Sequence, residues 1–253
     1  VELTPLDLAA DEPASRLFLG RFDEAGLRQE LAAAGVLAGL ERRGYADVEL
    51  RFEQEAGEHR LGVYPRTGRE SLIDLRLSEA TLRPLELTNG AGGGDVLSVL
   101  SIHWLSMQDP EASFTPDRPR LPGQLHPGLG LARTLILRLH GWAQAWGKDA
   151  LLNHPEYYHN AVFYSALYRF LSPARQGRFE ALRRDLAALG VAEASWSVEL
   201  GRVLEEPGGR RFRWEPGAMI VGLTESSRND LEGESYARGV AAARAACRFD
   251  ITR

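Results

Sequence analysis

The chain has 253 residues, 44% of them hydrophobic, enough to bury a sizeable core, and by size alone it fits either one large domain or one and a half domains. Its 35 acidic residues outweigh 30 basic ones, a formal net charge of −5 at pH 7, which leaves no basic footprint for nucleic acid. Cys247 is the single cysteine, so neither an internal disulfide framework nor a thiolate metal site can be built.

The opening stretch "VELTPLDLAADEPASR" carries acids where a signal peptide carries a basic segment and an apolar run. No apolar run reaches the roughly 18 to 20 residues that a membrane helix needs, so a soluble cytoplasmic protein without a membrane partner is expected. Apolar residues at helical spacing predict a helix over 23–43, with Asp23 as N-cap and Gly44 closing the end. Three strand-like runs follow: "ADVELRFEQ", then "RLGVYPR" after the turn "EAGEH", then "SLIDLRLSEATL". In the third, Ile73, Leu75 and Leu77 alternate with Asp74, Arg76 and Ser78, the period of a half-buried strand. The short glycine-containing turns between the runs predict an antiparallel meander.

"TNGAGGGD" (88–95) reads as a loop, and "VLSVLSIHWLSMQ" as a central strand covered on both faces. A proline-rich excursion then leads to a helix at about 130–146. "KDALLNHP" reads as a short strand, "EYYHNAVFYSALYRFL" as an aromatic-rich helix and "RQGRFEALRRDLAALG" as an amphipathic helix. "ASWSVELGRVLEE", "PGGR" and "RFRWEPGAMIVGL" read as a terminal hairpin, and a tail from Thr224 carries one helical pattern. The order predicts a mixed α/β (α+β) fold: a mostly antiparallel central sheet flanked by helices on both faces. One domain is expected over 1–223, with a C-terminal tail over 224–253.

The chemistry-bearing feature of this order is Gly128-Leu129-Gly130, between the central strand and its helix. A helix N-terminus presents unpaired N–H groups and a partial positive charge, and glycines let that backbone approach a phosphate. The donors would be the amides of Leu129, Gly130, Leu131 and Ala132, with Gly128 shaping the turn. A dinucleotide fold would need a third glycine where Arg133 stands, and an acid closing the next strand, which instead ends "LLNHP".

The sequence over 45–171 resembles the GNAT acyltransferase superfamily. In that family a central strand runs into a Gln/Arg-x-x-Gly-x-Gly/Ala turn that opens a helix. The next strand then diverges, and a later helix ends in a tyrosine and a Gly-Phe pair. The resemblance implies that acetyl-CoA or a related acyl-CoA is the cosubstrate, its pyrophosphate on the Gly128–Ala132 turn and its pantetheine arm between the splayed strands. It implies further contacts from Gln124 and Asn160. The strand's end, at Leu105 and Met107, would orient the thioester carbonyl through its backbone. Two spacings depart from the pattern. Gln124 precedes Gly128 by four residues instead of three, and anchoring on Phe170 puts Ser165 at the family's tyrosine, one residue past Tyr164. One residue on a helix is a rotation of about 100°. Tyr164 therefore protonates the leaving thiolate only if the register is shifted; otherwise Ser165 faces the cofactor.

"NHPEYYHN" (153–160) lies where an acceptor would bind, beyond the carboxyl ends of the strands. An amine acceptor must lose a proton before attack, and His154 or Glu156 can take it, with His103 as a third candidate. His154 and His159 are five apart and lack the His-Glu-x-x-His pattern, so no metal is expected. The reading is acyl transfer from acyl-CoA to an unidentified amine by direct attack, without nucleic-acid partners and with a homodimer as one assembly. Its rival is a non-catalytic binding or sensor module on the same fold.

Overall fold

A computed structural model of the protein describes residues 4–5, 17–83 and 96–252; the loop expected over 88–95 lies outside these. Asp23 caps α1 (Glu24–Ala33) as expected, its side chain accepting from the Gly26 amide at 2.7 Å. The single helix expected over 23–43 is two. Gly35, at φ 81°, ends α1 in a left-handed turn and starts α2 (Val36–Glu41). After the two-residue strand β1 (Thr4–Pro5), the meander is β2 (Val48–Glu55), β3 (Glu58–Pro65), β4 (Ile73–Leu82) and β5 (Leu97–Met107), each antiparallel to the last. The first turn narrows to Ala56-Gly57, both at positive φ, which matches the twist of the flanking strands.

The chain continues through α3 (Ala132–Ala145), β6 (Ala150–Asn153), α4 (Tyr158–Tyr164), β7 (Arg169–Phe170), α5 (Pro173–Asp185) and α6 (Val191–Glu199). It then forms β8 (Val203–Glu206), β9 (Arg210–Arg211), β10 (Met219–Gly222), α7 (Glu225–Glu232), α8 (Glu234–Ala246) and β11 (Arg248–Ile251). The main sheet runs β2-β3-β4-β5-β6-β10-β7, with β1 beside β4, and β5–β6 is its parallel junction. The fold is mixed α/β of the α+β kind. Ile73, Leu75 and Leu77 enter the larger core, which also takes in Leu135 and Leu139 of α3, as their alternation requires. A smaller core on the opposite face joins Leu97, Val99 and Leu152 to Leu231 and Tyr236.

Three expectations are corrected. The terminal hairpin expected over 194–223 is instead α6, a β8–β9 ribbon and β10, which inserts between β6 and β7. Buried Ala194 and Val198 show the helical spacing of four that the apparent alternation of "SWSVEL" masked. The aromatic helix stops at Tyr164, and Arg169-Phe170 becomes an edge strand. The segment after Thr224 packs against the rest: β11 pairs with β8, and the Tyr236 hydroxyl donates to the Phe170 carbonyl at 2.5 Å.

This packing rests on a close approach at Gly177 of α5, where a Cβ would sit 2.3 Å from the Val240 carbonyl oxygen of α8. Gly177→Val is therefore expected to destabilise the fold by about 1–3 kcal/mol through overpacking. Chemical denaturation reads this directly, and an unchanged midpoint would contradict the packing.

Candidate functional site: a cavity beyond the end of a central strand

β6 accompanies β5 only from Val99 to Ile102, after which β5 runs on to Met107 without it. The β4–β5 register shifts at the same level: Arg76 pairs with Trp104 and Leu77 with Ile102, leaving His103 as an extra residue. Such a bulge bends its strand and re-aims side chains. β6 itself ends there, at Asn153, and a cavity of about 790 Å³ lies along the unpaired remainder of β5. Leu105, Met107, Ile136 and Tyr164 line it on the larger-core side, and Asp74, Trp104 and Ser106 line it at the other face.

The glycine turn is fastened to the end of β5. The proline-rich excursion leaves and returns at one place: Asp109 N–H donates to the Pro127 carbonyl at 2.8 Å, and Leu129 N–H to the Met107 carbonyl at 3.3 Å. Leu129 is thereby removed from the expected donors, its amide already engaged. Gly130 has φ 71°, a conformation that side chains disfavour, whereas a Cβ on Gly128 would make only ordinary contact, 3.5 Å from Met107 O. Leu131 is the N-cap, and the first intrahelical bond runs from Leu135 N–H to Leu131 O at 3.0 Å. The amides of Ala132, Arg133 and Thr134 thus have no partner inside the helix. The first turn of α3 holds no acid, and Arg43 Nη2 lies 3.2 Å from where a Gly130 Cβ would stand. The turn is electropositive from its backbone, and Arg43 beside it is shared with the buried Asp109, its Nη1 3.7 Å from Asp109 Oδ2.

Of the residues expected to hold cofactor, Leu105, Met107, Gln124 and Asn160 line the cavity, as do Gly128, Leu129, Gly130 and Ala132. Leu131 does not: its side chain is buried against Gly39 of α2, fixing the start of α3. Gln124 serves its own loop as well, Oε1 accepting from the Leu121 amide at 3.0 Å.

Tyr164 lines the cavity and Ser165 does not. Ser165 Oγ donates to the Val162 carbonyl at 2.7 Å and accepts from Arg183 Nη1 at 3.0 Å, which turns it toward α5. No register shift is needed, because α4 ends at Tyr164 and the chain turns immediately. Burial pushes the Tyr164 phenol up to about 12, so it is protonated at neutral pH.

His154 and Glu156 stand apart from the cavity lining. Glu156 is exposed. His154 is half-buried and continues the face of Leu152, and burial together with the neighbouring His103 lowers its pKa. His103, bonded through Nε2 to Ser78 Oγ at 2.7 Å, is also lowered by burial. The sequence reading missed His159, whose ring lines the cavity, stacks on Tyr157 at 5.5 Å and leaves Nδ1 buried without a partner. Burial brings its pKa down to about 4 and keeps it neutral. Tyr157 in turn lies over Gly123, where a Cβ would meet its ring at 2.5 Å.

Among the described residues, no group of three His, Cys, Asp or Glu side chains could hold a metal ion, and no helix is long and apolar enough to cross a membrane. No protein-family model and no curated protein matches the sequence. Among solved structures, one described as a bacterial toxin is similar at 10% identity and a TM-score of 0.35, over 71% of this chain and 74% of that one. That likeness is too low to carry an argument about function.

Proposed function

We propose that this protein transfers an acyl group from an acyl-CoA to an amine, as a divergent member of the GNAT superfamily. The observation that carries the reading is the cavity itself. It runs from a glycine-led helix start, along β5 beyond the end of β6, to a half-buried tyrosine, and it reaches both faces of the sheet. A thioester cofactor needs these parts in this order: an anion site, a slot for an extended arm, and a proton donor for the departing sulfur.

In this reading the pyrophosphate binds the amides of Ala132, Arg133 and Thr134, with Arg43, which it shares with Asp109, at its side. The acceptor ammonium gives one proton to His154, directly or through a water, and the free amine attacks the thioester carbonyl. The N–C bond forms and the C–S bond breaks. The nitrogen sheds a second proton, the thiolate takes one from Tyr164, and one proton in all is released to solvent.

Calorimetric titration with acetyl-CoA, followed by thiol release over an amine panel, tests the proposal. Binding with turnover on one amine is the expected result. Stabilisation by acetyl-CoA without turnover on any amine would make the protein a binding module, and absence of binding would end the reading. Tyr164→Phe removes one oxygen that has no hydrogen bond among the described residues, so stability should hold while kcat falls roughly 10²-fold. A kcat within twofold of the parent would remove Tyr164 from the proton path.

A further inference from the structure

Three arginines stand on the face of the sheet turned away from α3, and two of them are held. Arg51 makes two hydrogen bonds to Glu49, at 3.0 and 2.8 Å. Arg60 makes two to Asp74, at 3.0 and 2.9 Å, and has Glu53 opposite it on β2. Arg76 makes none among the described residues. Its Nε is buried without a hydrogen bond and forms only a 3.9 Å ion pair with Asp74 Oδ1, already held by Arg60, while 42% of the side chain is exposed. A guanidinium offers a planar fork of donors, and a buried N–H left unmade is costly. The exposed part of the Arg76 guanidinium is therefore the one free to take a planar oxyanion, next to the Asp74 carboxylate.

That place borders the cavity. Arg76 is directly opposite Trp104, so their side chains leave the same face as cross-strand neighbours. Trp104 and Asp74, on either side of it, both line the cavity. Trp104 is 43% exposed in the middle of a sheet, an aromatic surface without a cover. Beside it, His103 is pushed out by the bulge.

We propose that this face is the acceptor site, and that the acceptor is an aromatic α-amino acid whose carboxylate meets Arg76 and whose ring lies on Trp104. The inference rests on the acyl-transfer reading and names its amine. An α-amino acid puts its nitrogen two bonds from the carboxylate carbon, so the Arg76 fork would present the amine toward the stretch of β5 beyond the end of β6. The product would be an N-acyl amino acid.

L-phenylalanine, L-alanine and phenethylamine serve as probes, the last being phenylalanine without its carboxylate. With acetyl-CoA, kcat/KM for phenylalanine is expected to exceed that for phenethylamine by roughly 10- to 100-fold, the range for a hydrogen bond to a charged group. Arg76→Gln should collapse that ratio to about unity, and Arg76→Lys, which keeps the charge but not the fork, should restore only part of it. Trp104→Ala should instead erase the preference for phenylalanine over alanine. Equal rates for phenylalanine and phenethylamine in the parent protein would overturn the proposal, as would an Arg76→Gln effect shared by both. Should acetyl-CoA fail to bind, the acyl-transfer reading fails separately. Calorimetry with phenylalanine alone then decides the site, and no binding at millimolar concentration would refute it.

Discussion

Replacing Gly130 with aspartate is expected to weaken acetyl-CoA binding by at least about 10-fold while the protein stays folded. The residue precedes the N-cap of α3, where a carboxylate is compatible with the helix dipole, and aspartate tolerates positive φ better than most side chains. The same carboxylate would stand beside Arg43, whose Nη2 lies 3.2 Å from the new Cβ, and would draw that cation away from a phosphate. It would also face the pyrophosphate itself. Two like charges at about 4 Å repel by about 4 kcal/mol at an effective dielectric of 20, and even half of that after screening is more than tenfold. Gly130→Asn isolates the charge, having nearly the same shape and the same tolerance of positive φ. Calorimetry on both variants, with circular dichroism as the folding control, should give a large loss for Asp and a small one for Asn. Unchanged affinity in a folded Gly130→Asp protein would move the phosphate elsewhere.

That a turn at 128–130 opens a helix was legible in the sequence, because glycine spacing and helical periodicity are local signals. The meander was legible for the same reason: Ile73, Leu75 and Leu77 record the pleat directly. What could not be read depends on contacts distant along the chain. β10 is a four-residue apolar run, and nothing within it says that it lies between β6 and β7. His159 is a cavity residue because the chain returns Gly123 beneath Tyr157, a contact across 34 residues that no spacing rule encodes. The choice between Tyr164 and Ser165 turned on where α4 stops. A longer helix would have kept both motif positions in play, whereas termination at Tyr164 hands Ser165 to Arg183. His154 and Glu156 looked equivalent as neighbours in a polar run; burial separates them, one half-buried beside His103 and the other in solvent.

That separation gives the last expectation, and the largest on rate. His154→Ala should lower turnover by about 10²–10⁴-fold while acetyl-CoA affinity stays within twofold, because His154 lies outside the cofactor cavity. The pH profile distinguishes a base from a structural residue. Burial holds the His154 pKa below 6.5, and His103 lowers it further, so the neutral, proton-accepting form predominates at neutral pH and persists on acidification past the ordinary histidine range. The acid limb of kcat/KM should therefore fall below 6.5. In His103→Gln the neighbouring imidazole is gone, the His154 pKa rises toward its ordinary value, and the limb should move to higher pH. A base unconnected with His103 would show no such movement. Added imidazole should restore part of the activity of His154→Ala if the lost group moved a proton, and none if it only held β6 in place. Collapse of turnover in Glu156→Gln, with His154→Ala active within a few-fold, would assign the proton to the exposed carboxylate and place the acceptor at the edge of the fold.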